Sequence, residues 1–280
     1  MGTYCVILTC RNSQETLIST LNSLIDQSIK AEYIIVIDDG SKDSTSDILK
    51  DFKSRNNNLY IITNPDRGYN IGRVVQNWNK ALRLAEELKL KTVDYHMISA
   101  DDIIYERDYC KNIIGYMDSD NSSVIASGNY DNNHYTTPHG AGRLVRNSFF
   151  NEFHGYYPER MGYESLIFYS ALEHNFKYQI IREARFIHTR KLGSNHHFYE
   201  FGASMRTLGY HPLFAIARFL IYFLSGKPIG RVGSLFMLYH YMSYRPKSEG
   251  YDSMFDKTTR KVIRRIQTKR MRKYISIKKG

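Results

Sequence analysis

Through the N-terminal half of the chain, short continuous apolar runs alternate with segments whose apolar residues recur at helical spacing. Residues 4–9 read as a buried strand, followed by a helix over 15–27 in which Leu17, Leu21, Leu24 and Ile25 share one face. Residues 33–37 form the next strand, which ends at Asp38-Asp39-Gly40-Ser41. Carboxylates, then Gly, then Ser44 and Thr45 at a helix start punctuate a strand–loop–helix passage. A helix over 44–53, a strand over 59–63 and a long helix over 73–88 continue the alternation. Residues 94–99 are a fourth strand, which delivers Asp101-Asp102 at its carboxyl end. Such alternation predicts an α/β fold with a mainly parallel sheet flanked by helices. Two further strand-like segments, 123–127 and 184–187, bracket a Gly-, His- and Tyr-rich middle with a helix at 164–173.

Beyond residue 200 the pattern changes. Residues 213–224 are almost continuously apolar around Arg218, Ser225-Gly226-Lys227-Pro228 interrupts, and a second apolar stretch covers 235–242. A membrane-spanning helix needs about 20 apolar residues, which neither stretch reaches. They read as two amphipathic helices that lie in a headgroup region or pack on each other. The expected division is a catalytic domain over 1–200 and a C-terminal helical part over 201–280 that associates with membrane or oligomerises.

The net charge of +11 sharpens this division. From Lys257 onward there are eleven Lys and Arg and no Asp or Glu, so the remainder is close to neutral. Basic character therefore belongs to the partner of the C-terminal segment rather than to a catalytic cleft. An apolar helical pair beside a polybasic segment supplies the two signals of stable peripheral attachment to an anionic membrane. Two other readings of this region stay open: a dimer interface or sheet cover for 213–242, and RNA for the basic segment. Few aromatics among its cations and no recognisable module leave nucleic acid outside the expected partners. The three cysteines, Cys5, Cys10 and Cys110, have no paired spacing, which favours a reducing compartment. Residues 4–9 are too short for a signal-peptide core and read as the first strand. A mean hydropathy of −0.46 argues against a polytopic membrane protein.

The chemistry-bearing residues gather at strand ends. In open α/β sheets, ligands bind in the crevice beyond the carboxyl ends of strands, and both acidic pairs, 38/39 and 101/102, fall there. Adjacent acids in such places also cap the next helix. At a sheet rim, however, carboxylates can hold a hard divalent cation that neutralises a diphosphate leaving group. No Gly-x-x-x-x-Gly-Lys loop, no Gly-x-Gly-x-x-Gly fingerprint and no Gly-rich nucleotidyltransferase loop occurs. Phosphates bound there would have to be met by a metal and basic side chains instead.

The order of these motifs resembles the family 2 glycosyltransferases of GT-A fold over about the first 190 residues. Thr9-Cys10-Arg11-Asn12 looks like the family's first nucleotide-contacting loop, and Asp38-Asp39-Gly40-Ser41 like its signature after the second strand. Asn64-Pro65-Asp66-Arg67-Gly68, with Arg73 and 77–85, looks like its nucleotide-side segment. Ser99-Ala100-Asp101-Asp102 is similar to its metal-binding DxD motif. The resemblance implies that Thr9, Arg11, Asp39 and Arg73 line the nucleotide site with Asp38 in support. It implies that Asp101 holds the ribose or a phosphate and that Asp102 binds Mn²⁺ or Mg²⁺. His188, in Phe186-Ile187-His188-Thr189-Arg190, resembles a histidine that helps hold the metal or diphosphate. Gly162-Tyr163-Glu164 stands where relatives carry the catalytic base, which assigns that role to Glu164. An acid at the start of helix 164–173 is also favoured by the helix dipole alone. Many relatives have a second acid after the base, and here that position is Ser165.

The resemblance therefore implies inverting transfer from a nucleotide sugar, a UDP-sugar by preference, to a hydroxyl of a lipid-linked or cell-surface glycan at the cytoplasmic face of a membrane. A processive synthase of cellulose-synthase type is not expected, because Gln-x-x-Arg-Trp is missing and the only tryptophan is Trp78. A non-catalytic nucleotide-sugar- or glycan-binding scaffold on the same fold is the alternative. The adjacent His196-His197 is not expected to form a metal pair, since neighbouring side chains diverge.

Overall fold

The computed structural model describes residues 1–130, 137–138, 140–190 and 198–277. It forms two compact units, Met1–Tyr157 with Lys177–Arg190, and Pro158–Phe176 with Lys191–Gly280.

The first unit is built on a mixed eight-stranded sheet. Strand β1 (Tyr4–Cys10) leads through α1 (Leu17–Ile25) to β2 (Tyr33–Asp38), and α2 (Thr45–Arg55) leads to β3 (Leu59–Thr63). Helix α3 (Gly72–Glu87) and β4 (Tyr95–Ala100) follow, then β5 (Ile103–Tyr105), α4 (Tyr109–Ser119), β6 (Ser123–Tyr130), β7 (Arg143–Arg146), α5 (Asn147–Phe153) and β8 (Lys177–His188). The strand order is β3-β2-β1-β4-β7-β6-β8-β5. The first four strands are parallel neighbours, while β7 runs antiparallel to both β4 and β6. Every residue of β2 is buried, as expected of an inner parallel strand covered on both faces. Leu17, Leu21 and Leu24 of α1 face the sheet, joining Val6, Leu8, Ile34 and Val36 in the main core.

Several stretches differ from the pattern-based expectation. Strand β8 extends N-terminally from the expected 184–187 to Lys177. Its added residues include exposed Lys177, Gln179, Arg182 and Glu183, so no apolar run marks it. Strands β5 and β7 have three and four residues, too short for alternation to register. Helices α4, α5 and α7 lie outside the expected elements, although Tyr109, Cys110, Ile113, Ile114 and Met117 of α4 recur at helical spacing and are buried.

The second unit is helical. It comprises α6 (Tyr163–Glu173), α7 (Tyr199–Thr207), α8 (Pro212–Ser225), α9 (Gly230–Ser243) and α10 (Lys257–Ile277). Tyr169, Met205, Leu208, Met237, Tyr241 and Ile263 form its core. The basic C-terminal segment is a packed helix through most of its length. Buried Gln267 of α10 donates to Tyr169 Oη at 3.0 Å and accepts from His211 N at 2.9 Å. Among the described residues, no helix is long and apolar enough to cross a membrane.

Candidate active site

Strands β2, β1 and β4 are consecutive in the sheet, and their registers bring the carboxyl ends of all three to one level. Cys10 pairs with Asp38, and Thr9 pairs with Ala100. The Asp38-Asp39 and Asp101-Asp102 pairs therefore stand on either side of the Thr9–Asn12 turn, beyond the carboxyl ends of parallel strands. The Thr9 hydroxyl is buried and finds no hydrogen-bond partner among the described residues. A buried hydroxyl of this kind costs stability unless something bonds to it.

The two aspartates after β2 do different work. Both carboxylate oxygens of Asp38 hold the following loop, accepting from Ser41 N at 2.9 Å and from Ser46 Oγ at 2.5 Å. Gly40, at φ +75, makes that loop possible, because a Cβ there would lie 2.5 Å from Asp66 Cα. Asp39 turns the other way. Arg73 Nε donates to its two oxygens at 3.1 and 2.9 Å, and Asn64 Nδ2 donates to Oδ1 at 3.1 Å. Burial pushes the Asp39 carboxyl up, but Arg73, Asn77 and Asn64 outweigh it and hold the group below its ordinary value. The orientation of the Asn64 amide is itself fixed, since its oxygen accepts from Lys80 Nζ at 2.7 Å.

Arg11 closes the near side. Its guanidinium donates to the carbonyls of Asp39 and Gly40 and to Asp66 Oδ1, the last at 2.7 Å. Lys42 reaches the other oxygen of Asp66 at 2.7 Å. Lys42 and Arg11 thereby hold the Asp66 carboxyl well below the usual carboxylate range. Arg11, Lys42 and Arg73 form a cationic rim whose partners are carboxylates and carbonyls, a setting suited to the phosphates and polar edges of a nucleotide.

Beyond β4, Asp101 accepts a hydrogen bond from Ser13 Oγ and lies 3.8 Å from Arg190 Nη1. Burial raises its pKa, with the Ser13 bond and Arg190 opposing. Asp102 faces His188, with Nδ1 3.6 Å from Oδ1 and side-chain exposures of 9% for the histidine and 18% for the aspartate. The pairing is built by the sheet: β5 runs antiparallel to β8 with Ile103 opposite His188, and Thr189 N donates to Asp102 O at 2.8 Å. Among the described residues, no group of three or more His, Cys, Asp or Glu side chains converges as a cation cage. One carboxylate and one imidazole still fit a Mn²⁺ or Mg²⁺ ion of the kind that takes its remaining ligands from substrate phosphates and water. His196 and His197 lie outside the described residues.

Glu164 belongs to the second unit, in the first turn of α6. Gly162 sets up that turn at φ +99, and a Cβ on it would lie 2.9 Å from Leu208 Cγ. Thr207 Oγ1 donates to Met161 O at 2.6 Å, so the end of α7 fixes the start of α6. Glu200, in the first turn of α7, has its pKa raised to about 7 by burial and then by the charge of Glu164.

Sequence reasoning assigned no role to Ser13, Asn64, Asn77, Arg190 or Glu200. Asn64 and Asn77 fall in motif segments and could have been flagged as polar positions on an otherwise inward-facing stretch. Nothing local marks Ser13 or Glu200, whose significance comes from contacts made in the folded chain.

The comparisons with known proteins agree with this architecture. The chain is 32% identical over 99 residues to a poly-beta-1,6-N-acetyl-D-glucosamine synthase of Staphylococcus epidermidis, covering 35% of this chain and 21% of that protein. The synthase of the same name from Staphylococcus aureus strain COL is 28% identical over 102 residues, covering 36% and 22%. The aligned part thus spans about a fifth of the length of these curated relatives. Among solved structures, S. aureus TarS 1–349 in complex with UDP-GlcNAc superposes with a TM-score of 0.54 at 15% identity, covering 86% of this chain and 71% of that one. The mannosyltransferase PcManGT from Pyrobaculum calidifontis, in complex with GDP-Man and Mn²⁺, gives 0.60 at 14%, covering 86% and 69%. These likenesses establish the GT-A fold. The sequence model described as Glycosyl transferase family 2 matches residues 5–181. A match through more than half of the chain, over a sheet of this topology, settles the family: the protein belongs to glycosyl transferase family 2.

Proposed function

We propose that the protein transfers a sugar from a nucleotide-diphosphate donor, a UDP-sugar, to a hydroxyl of a lipid-linked or cell-surface glycan acceptor, with inversion at the anomeric carbon. The observation that carries this reading is the Asp39–Arg73 clamp after β2 and the Asp101-Asp102 pair after β4, on either side of β1 at the carboxyl ends of parallel strands, with Asp102 facing His188. The UDP preference draws on a fold neighbour bound to UDP-GlcNAc and on relatives named as N-acetylglucosamine polymer synthases. GDP, present as GDP-Man in another neighbour, is the nucleotide to test against it.

Each residue has a distinct part. Asp39 and Arg73 hold the base, with Asp38 keeping their loop in shape, while Thr9 and Arg11 line the same pocket. Asp101, fixed by Ser13, holds the ribose or a phosphate. Asp102 and His188 are the residues that would hold Mn²⁺ or Mg²⁺, which when bound neutralises charge on the diphosphate. Glu164 removes the proton of the acceptor hydroxyl as its oxygen bonds to the anomeric carbon. The bond from that carbon to the diphosphate breaks in the same step, and its electron pair leaves with the nucleoside diphosphate. All of these residues fall within 1–200, which we read as the catalytic domain. Residues 211–280, in the remaining helical part, are the region read as meeting an anionic membrane, at the inner face of the cell membrane.

Thermal stability against a panel of nucleotides and nucleotide sugars tests the donor site. A ligand at about 100 times its Kd adds about 2.7 kcal/mol. UDP or one UDP-sugar should stabilise the protein with Mn²⁺ present, and Asp102→Ala should abolish the metal dependence. Glu164→Gln should keep nucleotide binding and lose transfer. Equal transfer by Glu164→Gln would remove the base assignment, and donor binding without any donor hydrolysis would leave a sugar-nucleotide-binding scaffold.

A further inference from the structure

Helices α8 and α9 show an unusual distribution of apolar surface. On α8, Leu213, Ile216, Leu220, Ile221 and Leu224 are exposed, between 45% and 75%. Their spacing is that of one helical stripe. The opposite side of the helix is also apolar, since Phe214, Ala215, Phe219 and Tyr222 face the core of the second unit. On α9, Val232, Leu235, Tyr239 and Met242 form a second exposed stripe at the same periodicity, between 49% and 67%. Met237 and Tyr241 of α9 point inward. The two helices are joined by residues 226–229 and pack on each other, so the stripes belong to one hairpin. A helix facing water on its outer side carries polar residues there, whereas between their ends these two expose apolar ones.

Charge decides what covers them. No Asp or Glu occurs from 201 to 248. Exposed Lys227 and Arg231 sit at the hairpin turn. Helix α10, held in the same unit by Gln267, exposes Lys257, Lys261, Arg264, Arg265, Lys269 and Arg272, again at helical spacing. A second copy of the chain would bring one cation-rich surface, whose acids include Glu173 beside Arg265, against another of the same sign. An anionic lipid surface offers the opposite charge together with an apolar layer beneath it. Each helix has 14 residues and is therefore about 21 Å long, shorter than the roughly 30 Å hydrocarbon core. Such helices lie in the plane of the interface instead of crossing it. Tyr239, amphipathic and 62% exposed, suits that depth.

We propose that the outward face of the α8–α9 hairpin is an interfacial membrane-docking surface. It beds its two apolar stripes among the acyl chains of an anionic leaflet, and the cations of the hairpin turn and α10 engage the lipid headgroups. This rests on the reading that the enzyme works at a membrane, and it names the surface that makes the contact.

The test is flotation of the full chain with phosphatidylcholine vesicles and with vesicles containing phosphatidylglycerol. The wild type should bind the anionic vesicles at least ten-fold more strongly than the neutral ones. Leu220→Glu with Leu224→Glu should weaken anionic binding at least ten-fold, with the circular dichroism spectrum and nucleotide-induced thermal shift unchanged. Lys261→Gln with Lys269→Gln should weaken binding less steeply and flatten its salt dependence. Full binding by the stripe variant, with loss in the α10 variant, overturns the hairpin assignment and leaves the membrane reading standing. Absence of binding by the wild type to either vesicle overturns both. A wild-type dimer that the stripe variant dissociates, seen in sedimentation without vesicle binding, assigns the surface to a second copy.

Discussion

Asp39 and Asp47 are both aspartates paired with a cation, and burial separates what the pairs contribute. The Asp47–Lys50 pair on α2 has exposures of 79% and 76%, a setting in which ion pairs add at most about 1 kcal/mol. Lys50→Ala should therefore shift the urea midpoint hardly at all. Asp39 is buried, with two hydrogen bonds from Arg73 Nε and one from Asn64. Asp39→Asn keeps the shape but replaces charge-assisted bonds by an amide whose NH₂ faces those donors. We expect nucleotide affinity measured by calorimetry to fall at least ten-fold, about 1.4 kcal/mol, because Arg73 loses its anchor. An unchanged Kd would take Asp39 out of the donor site. The aspartates themselves were legible in the sequence because they end buried strands. Their partners were not: Ser13 meets Asp101 across 88 residues, and that proximity exists only once β1 and β4 have paired.

At the level of elements, glycines give a sharp contrast. Gly202, inside α7, faces the backbone of α9, and a Cβ on it would lie 2.4 Å from Met237 O and 2.6 Å from Tyr241 N. Neither backbone atom can swing away, so α7 and α9 would have to part. Gly202→Ala should cost about 1–3 kcal/mol or more in urea unfolding, against a helix-propensity gain of about 1 kcal/mol. Gly115, inside α4, has nothing within 4 Å of its added Cβ. Gly115→Ala should keep the propensity gain and stabilise by up to about 1 kcal/mol. The same contrast explains which elements could be read in advance. Strands β1, β2 and β4 are almost wholly buried because both faces are covered, and their mainly apolar runs announce them. Strand β8 alternates between solvent and core, with Lys177 and Gln179 on the exposed side, so its N-terminal half has no such run. The apolar stretches of α8 and α9 were visible, but hydropathy alone could not separate core-facing from exposed positions.

Over the whole molecule, two shielded titrating groups, buried His96 and half-buried Glu200, pull in opposite directions, one in each unit. His96 of β4 is enclosed by Asn147 and Tyr157, with ring nitrogens 2.6 and 2.8 Å from their oxygens. Burial, with the Arg143 charge adding to it, lowers its pKa to about 4. The unfolded chain thus takes up a proton from about pH 6.5 downward while the folded unit refuses it until about pH 4, so stability is lost as pH falls through that window. By pH 5 this amounts to about 2 kcal/mol. Glu200 is the converse case. Its folded pKa of about 7 exceeds the ordinary 4.5, so stability is full below 4.5 and lost as pH rises through 7, about 2 kcal/mol between pH 5 and pH 8. The buried Trp78, the chain's only tryptophan, reports the first unit, and hydrogen exchange along α6–α10 reports the second. On going from pH 8 to pH 5, the Trp78 urea midpoint should fall while protection of α6–α10 rises. His96→Gln should remove most of the first change and Glu200→Gln most of the second, each leaving the other in place. Changes that always move together, in either variant, would mean that the two groups report a single cooperative transition, and the opposing slopes would then cancel in the wild type and be exposed one at a time by the substitutions.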